Sequence, residues 1–277
     1  MSTPPSPPQD QAMHSAETTP PPARNPGARR RRLQALGVVL FVSFGNFIFS
    51  SAYSLMGATA SGNPRQHQAR LLGSLIAESG SLAVLWYVLS GQGRSWKDIG
   101  WNLGWMDVPR AVGLLLASRL ARYLVMVPFQ VFYKFYFGHY LAPRSLHGLP
   151  SFGISGFSIA LVCLNPLFEE LIVRGYLMSE IFDLGGNALL AVLASVAVQM
   201  SYHLYQGLGN GIALTAGFSV YSVYFWRTRR IAPVVLAHFC VDAYASLARK
   251  LLILVLLLPV MRECRRIFAS TLGGTRL

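Results

Sequence analysis

The sequence predicts an all-α fold, a polytopic integral membrane helix bundle of about eight transmembrane helices. Three observations carry this reading. Of the 277 residues, 53% are hydrophobic and only 13% are charged, whereas about a quarter of the residues in a soluble domain are charged. Polar groups are concentrated between apolar runs of roughly twenty residues, the length that crosses a bilayer core. Those runs are continuous rather than alternating, which argues against a membrane β-barrel.

Residues 1–32 form the first unit, rich in Pro, Ser, Thr and Ala and ending in a run of arginines. Its first 28 or so residues lack apolar periodicity and bury too little surface to fold, so a disordered basic tail is expected. The tail is too polar, and too long ahead of the first apolar run, for a signal peptide, and the first span is expected to stay in the mature protein. Spans are predicted at 33–57, 70–91, 109–137, 155–182, 187–206, 209–226, 231–248 and 250–261, the last short enough to lie at the interface instead. The membrane domain is therefore 33–261, followed by a basic tail at 262–277. The loop from Gly91 to Asp107 carries Trp96, Trp101 and Trp105 among polar residues, as interfacial segments do. Pro143 to Pro150 is a second loop. No internal repeat supports an inverted-repeat transporter.

The net charge of +13 is distributed in a way that excludes nucleic acid as a partner. Arg24 and Arg29 to Arg32 precede the first span, Arg227, Arg229 and Arg230 form a second cluster, and Arg262, Arg265 and Arg266 a third. Basic clusters at span ends orient insertion and suit anionic lipid head groups. Eight spans put both termini on one side. A cytoplasmic N-terminus then places these clusters, with Arg94 and Lys97, inside, and Arg65, Arg70, Arg144, Arg249 and Lys250 outside. With no organelle signal in the chain, the cell (inner) membrane is the expected location. Cys163, Cys240 and Cys264 have neither disulfide nor zinc spacing, and read as buried spectator thiols.

The chemistry is concentrated in Leu164-Asn-Pro-Leu-Phe-Glu-Glu-Leu-Ile-Val-Arg-Gly175. An acid inside a membrane span is costly and marks a functional site by default. Glu170 and Arg174 stand four apart, in the favourable order, and share a helix face. Glu169 points about 100° away and has no partner at that spacing, which makes it the candidate working acid or base. Pro166 removes one backbone hydrogen bond just before the pair and is a source of a kink there. His238 and Asp242 are also four apart, so the aspartate can hold the imidazole in one tautomer, or both can serve a water or metal. His203 is a further imidazole in an apolar segment. A water activated by Glu169 could attack a carbonyl while histidine stabilises the oxyanion. Glu169, His203, His238 and Asp242 are also zinc-type ligands, so metal-assisted hydrolysis fits the same residues.

The order Glu-Glu-x-x-x-Arg, a single His one span later, and His-x-x-x-Asn/Asp after two more resembles the CPBP family. That family comprises CAAX prenyl endopeptidases and bacteriocin-processing or Abi-type membrane proteins. The likeness covers roughly residues 155–248. It implies an intramembrane peptidase in which Glu169 activates water, Glu170 and Arg174 complete the first motif, and His203 and His238 are the second- and third-motif histidines. The implied partners are a membrane-presented protein or peptide substrate, with a prenylated C-terminus, a leader peptide or a sorting tail, and the lipid bilayer. Two positions depart from the pattern: Gln199 stands where Phe usually precedes the second-motif histidine by four, and Asp242 where Asn often ends the third motif. An ionised aspartate cannot donate a hydrogen bond to an oxyanion as asparagine can.

Gly153-Ile-Ser-Gly156 matches the rhomboid Gly-x-Ser-Gly pattern, with Ser155 as nucleophile and His238 as its base. A non-catalytic scaffold, immunity or assembly factor would use the polar cluster as structural glue. Site-2-type metalloproteases need His-Glu-x-x-His, which is absent. Arg119 and Arg122 in the third span are expected to pair with Glu78 in the second; otherwise they form an electropositive lining for a substrate carboxylate. One feature resists the scheme. His203 lies roughly 24 Å from the start of its span at Asn187 and His238 only about 10 Å from Ile231, so helices starting at one depth bring them together only through tilt, a kink or shifted boundaries.

Overall fold

In the computed structural model the residues described are 26–55, 64–141 and 155–246, and among them there is no strand. Helix α1 (Pro26–Leu55) and helix α2 (Pro64–Gly91) each open on a proline, whose fixed φ and missing N–H suit the first helical position. The helix starts at Pro26, not at 33: Arg29 to Arg32 are its first turns rather than the end of a tail. The reason is a tether, since Arg32 bonds Glu180 through Nε at 2.9 Å and Asp183 through Nη2 at 2.7 Å. Residues 1–25 lie outside the described residues.

Beyond α2 comes a short 3₁₀ turn, Trp96–Ile99, capped by reciprocal bonds between Ser95 and Asp98. The Ser95 backbone and side-chain donors hold the Asp98 carboxyl below its ordinary pKa. The turn folds inward, so that only part of this expected interfacial loop is at the surface: Trp105 is 82% exposed, whereas Ile99 is fully buried and Trp96 and Trp101 pack on the core. Gly100 closes the turn at φ +91°. A Cβ there would meet the Arg229 carbonyl oxygen at 2.6 Å, so glycine is required on both counts.

Helix α3 (Asp107–Phe137) is packed chiefly against α7 (Leu208–Thr228). Helix α4 (Gly156–Glu170) continues as a π-helical segment, Leu171–Met178, and then as the short α5 (Ser179–Asp183). Asn187 caps helix α6 (Ala188–His203) by accepting from Leu190 N at 2.8 Å. A 3₁₀ turn, Leu204–Gln206, joins it to α7. Helix α8 is described over Ala232–Ser246.

Among the described residues five helices are long and apolar enough to cross a membrane: Pro26–Leu55, Arg65–Gly91, Asp107–Phe137, Gly156–Asp183 and Ala188–Gln206. Helices α7 and α8 occupy the sixth and seventh predicted spans, and the eighth (250–261) and the basic C-terminal tail fall outside the described residues. Large apolar side chains cover the outside, with Phe41 at 78% and Phe135 at 82% exposure, as befits surfaces facing lipid. The chain is a polytopic helical membrane protein. Cys163 and Cys240 are exposed rather than buried: their helices turn the thiols outward, and the interior is filled by larger side chains. Cys264 is outside the described residues.

Several basic residues at one end of the bundle are tied down by polar contacts. Arg32 and Arg94 converge on Glu180 and Asp183. Arg230 bonds both Asp107 oxygens at 2.9 Å, and Arg229 reaches Ser179. Arg32, Arg94, Arg229 and Arg230, expected on one side of the membrane, therefore share two neighbouring segments: α5, and the chain from Asn102 to the start of α3.

Candidate functional site

The polar core of the molecule is built where α4 passes into the π segment. Glu169, Glu170 and Arg174 are all buried, the last two with no exposure at all. The i, i+4 bond read from the sequence is present: Arg174 Nη1 donates to Glu170 Oε2. The same guanidinium donates from Nη2 to Gln199 Oε1 on α6 and to the Phe218 carbonyl on α7 at 3.3 Å. Phe218 and Tyr221 lie against its face, each with ring centroid 5.6 Å away. Arg174 thus ties three helices to the glutamate pair. A π-helical stretch at this point is in keeping with the occurrence of such turns at functional sites. Gly175 within it is also where Ile99 packs, since a Cβ there would meet the Ile99 carbonyl oxygen at 3.1 Å.

Glu169 is held differently. Its Oε2 accepts from Gln199 Nε2 at 3.0 Å and from the Tyr202 hydroxyl at 2.8 Å. Tyr202 is itself fixed by stacking on Phe44, centroids 4.8 Å apart. Among the described residues nothing bonds Oε1, and Glu169 lines a cavity of about 570 Å³. His203 Nε2 stands 3.7 Å from Glu169 Oε2, buried and, among the described residues, without a hydrogen-bond partner. Its other nitrogen, Nδ1, faces the Gln206 side-chain amide nitrogen at 3.2 Å. An amide N–H donating to Nδ1 puts the ring proton of a neutral imidazole on Nε2, the side facing Glu169.

His238 approaches from α8. Its Nδ1 lies 2.7 Å from Glu170 Oε1, and its Nε2 is 3.7 Å from Asp242 Oδ1. The sequence spacing paired His238 with Asp242, but the short bond goes to Glu170. Carboxylate acceptance fixes the Nδ1 proton and leaves Nε2 toward the cavity, which His238 and Asp242 both line. Asp242 takes a bond from Asn165 Nδ2 at 3.2 Å on α4. The cluster therefore contains all six expected residues, Glu169, Glu170, Arg174, His203, His238 and Asp242.

The two histidines reach the same cavity because their helices do not start at the same depth. The predicted starts are nearly right, with α6 beginning at Ala188 and α8 at Ala232. However, Ile231 N donates to the Gly100 carbonyl at 3.0 Å, on the inward-folded turn whose Ile99 abuts Gly175. From Gly175 to Glu169 is about 9 Å of helix, nearly the ~10 Å from Ile231 to His238. Helix α6 begins beyond α5, farther from the glutamates, and needs its full length to bring His203 level.

Ser155 has another task. It is the N-cap of α4, its Oγ accepting from Ser158 N at 3.2 Å. The 15 residues of α4 separate it from Glu170 by about 22 Å, and His238 is bonded at that far end. His238 thus cannot serve Ser155 as a base, and the rhomboid-type pairing is ruled out by geometry; Gly153 lies outside the described residues. Ser155→Ala should cost only the cap, about 1 kcal/mol, visible as a small drop in melting temperature with the rate unchanged.

Three contributors escaped the sequence reading. Gln199 was visible only as a departure from the family pattern, yet it links Arg174 to Glu169. Tyr202 and Asn165 carried no signal, being ordinary polar residues of apolar helices. Among the described residues no three His, Cys, Asp or Glu side chains are grouped to hold one metal ion.

A model of one protein family, type II CAAX prenyl endopeptidase Rce1-like, matches residues 151–244. The match runs from just before α4 into α8 and includes every residue of the cluster. Searches of curated proteins and of solved structures return no match. The likeness read from the motifs thus has independent support over residues 151–244.

Proposed function

From an Rce1-like domain assembled around Glu169, we propose that the protein is an intramembrane endopeptidase in which Glu169 activates water directly. The observation that carries this is the asymmetry of its carboxylate: Oε2 is saturated by Gln199 and Tyr202, while Oε1 has no partner among the described residues and borders the cavity. A water bonded to Oε1 loses its proton to Glu169 as its oxygen attacks the peptide carbonyl. The charge that develops on the carbonyl oxygen is met by His203 Nε2–H, a buried donor with no competing acceptor within bonding distance among the described residues. When the C–N bond breaks, the proton held by Glu169 passes to the departing amine. Glu170, fixed by Arg174, orients His238; Asp242 and Asn165 border the far side of that imidazole.

The substrate is a protein or peptide presented at or in the membrane. By the positive-inside rule the segments carrying Arg32, Arg94, Arg229 and Arg230 face the cytoplasm. The reading is tested with two measurements on one assay of cleavage in reconstituted membranes. His203→Ala should lower kcat by about 10²–10³-fold, the range for one oxyanion donor, with KM little changed. Treatment with a metal chelator should leave the wild-type rate as it was; a loss reversed by zinc would move Glu169 and the histidines from direct catalysis to ligation.

A further inference from the structure

At the end of the bundle where Arg32, Arg94 and Arg230 are tied down, a second cavity of about 390 Å³ opens between the 3₁₀ turn at Trp96–Ile99, α5 and the end of α7. It is separate from the cavity that Glu169 borders: Ser179 on its wall stands ten residues, about 15 Å of helix, beyond that glutamate. The charged side chains around it are Arg94, Lys97 and Arg229 against Asp98 and Asp183. Both acids are already engaged. Asp98 accepts from the Ser95 backbone N–H at 2.6 Å and from its hydroxyl at 2.8 Å. Asp183 pairs with Arg32 at 2.7 Å and Arg94 at 3.5 Å, and the buried Glu180 pairs with the same two arginines. Among the described residues Lys97 and Arg229 form no ion pair. Arg32, Arg94, Lys97 and Arg229 against Asp98, Glu180 and Asp183 leave the cluster with one positive charge over.

Arg229 is the only non-glycine with positive φ among the described residues, at φ 53° and ψ 27°. This left-handed position follows the last turn of α7, where glycine is the usual residue and an L side chain is strained. The dipole of α7 favours a cation at that end, but Arg227 already supplies one in the last turn. The Arg229 side chain instead crosses to α5, with Cζ 4.1 Å from the Phe182 ring centroid and Nη1 donating to Ser179 Oγ at 3.4 Å. The aromatic face holds the guanidinium, and one long hydrogen bond leaves most of its five donors unused. Ser179 Oγ accepts that bond and still has its own hydrogen to donate. Gly100 brings Lys97 alongside: its N–H donates to the Lys97 carbonyl at 3.0 Å, and a Cβ on it would stand 2.6 Å from the Arg229 carbonyl oxygen. We propose that this cavity binds a phosphate group, held by Lys97, Arg229 and the Ser179 hydroxyl, as the head group of an anionic lipid or as a free phosphate. A guanidinium fork and an ammonium point charge are the two side-chain groups that bind phosphate. The single excess charge matches a phosphodiester. The exposed Trp105 and Trp226 on the flanking segments mark the height of the membrane interface, where basic pockets between helices meet lipid head groups. The inference stands independently of the peptidase reading.

The test uses the full-length protein in detergent, in two arms. In the first it is incubated with equal amounts of phosphatidylglycerol and phosphatidylcholine of matched acyl chains and repurified, and the retained lipid is counted by mass spectrometry. In the second, without lipid, its melting temperature is measured in sodium phosphate and in sodium chloride of equal ionic strength. Phosphatidylglycerol should be retained over phosphatidylcholine by roughly tenfold or more, the worth of a hydrogen bond to a charged group. Lys97→Gln/Arg229→Gly should erase that preference. Arg30→Gln/Arg31→Gln, which removes the same charge from the exposed start of α1, should keep it. Glycine suits the left-handed position at 229, so this change should not lower the melting temperature of the ligand-free protein. Lys97→Gln alone, at an exposed position, should lose part of the preference with the fold untouched. A melting temperature raised by phosphate over chloride in the wild type, but not in Lys97→Gln/Arg229→Gly, assigns the site to a free phosphate instead of a lipid. Equal retention of the two lipids with no effect of phosphate overturns the proposal. So does a lipid preference that survives Lys97→Gln/Arg229→Gly, or one that Arg30→Gln/Arg31→Gln reduces as much.

Discussion

Glu169→Gln should lower peptide cleavage by about 10²–10⁴-fold, the contribution of a positioned general base, while leaving the protein folded. The substitution is well matched to the site. The amide oxygen can still accept from Gln199 Nε2 and the Tyr202 hydroxyl, the two bonds that hold the side chain now. The amide nitrogen then takes the place of Oε1 and presents two hydrogens to the cavity where a base is needed. Packing, volume and the neighbouring bonds survive, and only the capacity to remove a proton from water is lost. Initial rates at matched abundance in membranes, together with melting temperatures in detergent, check both halves. A scaffold on the same fold would be indifferent to this change.

Arg174→Ala should do the reverse and damage the fold first. The arginine is fully buried and joins Glu170, Gln199 and the Phe218 carbonyl. Removing one partner from a buried ion pair costs about 3–5 kcal/mol, a large share of the roughly 5–15 kcal/mol that holds a typical protein folded. Glu170 would keep only the His238 bond, and the Gln199 oxygen would lose its donor. The expected result is a protein that accumulates poorly or melts well below the wild type. Lysine restores the charge but cannot span Glu170 and Gln199 together, so Arg174→Lys should recover stability only in part. In a cycle with Glu170→Ala, the double variant should be less damaged than the sum of the single ones, because the second change removes the stranded charge.

The limits of reading this molecule from its sequence are physical. Spacing within one helix was informative: the Glu170–Arg174 bond needs only 3.6-residue geometry, and it is there. Contacts between helices were not. His238 shares a face with Asp242, but its short bond is to Glu170, 68 residues away, and no periodicity along α8 contains that fact. Gln199 is the sharper case. Its chemistry was noticed as a departure from the family pattern, but its bridging of Arg174 and Glu169 depends on how α6 lies against α4 and the π segment. The depth conflict between the histidines came from assuming that membrane helices start at a common plane. The turn at Ile99–Gly100 folds inward and gives α8 a deeper start than α6. The paired arginines of α3 show the same limit from the other side, since the charges pointed to a partner, Glu78, that lines the same cavity without forming an ion pair with them among the described residues.

The most direct test of the central claim is cleavage in heavy-oxygen water by membranes containing wild type or Glu169→Gln at equal abundance, with the products read by mass spectrometry. The account predicts a wild-type product whose new carboxylate carries one heavy oxygen from solvent, and no such product from the variant. The same labelled product at an undiminished rate from Glu169→Gln would contradict it.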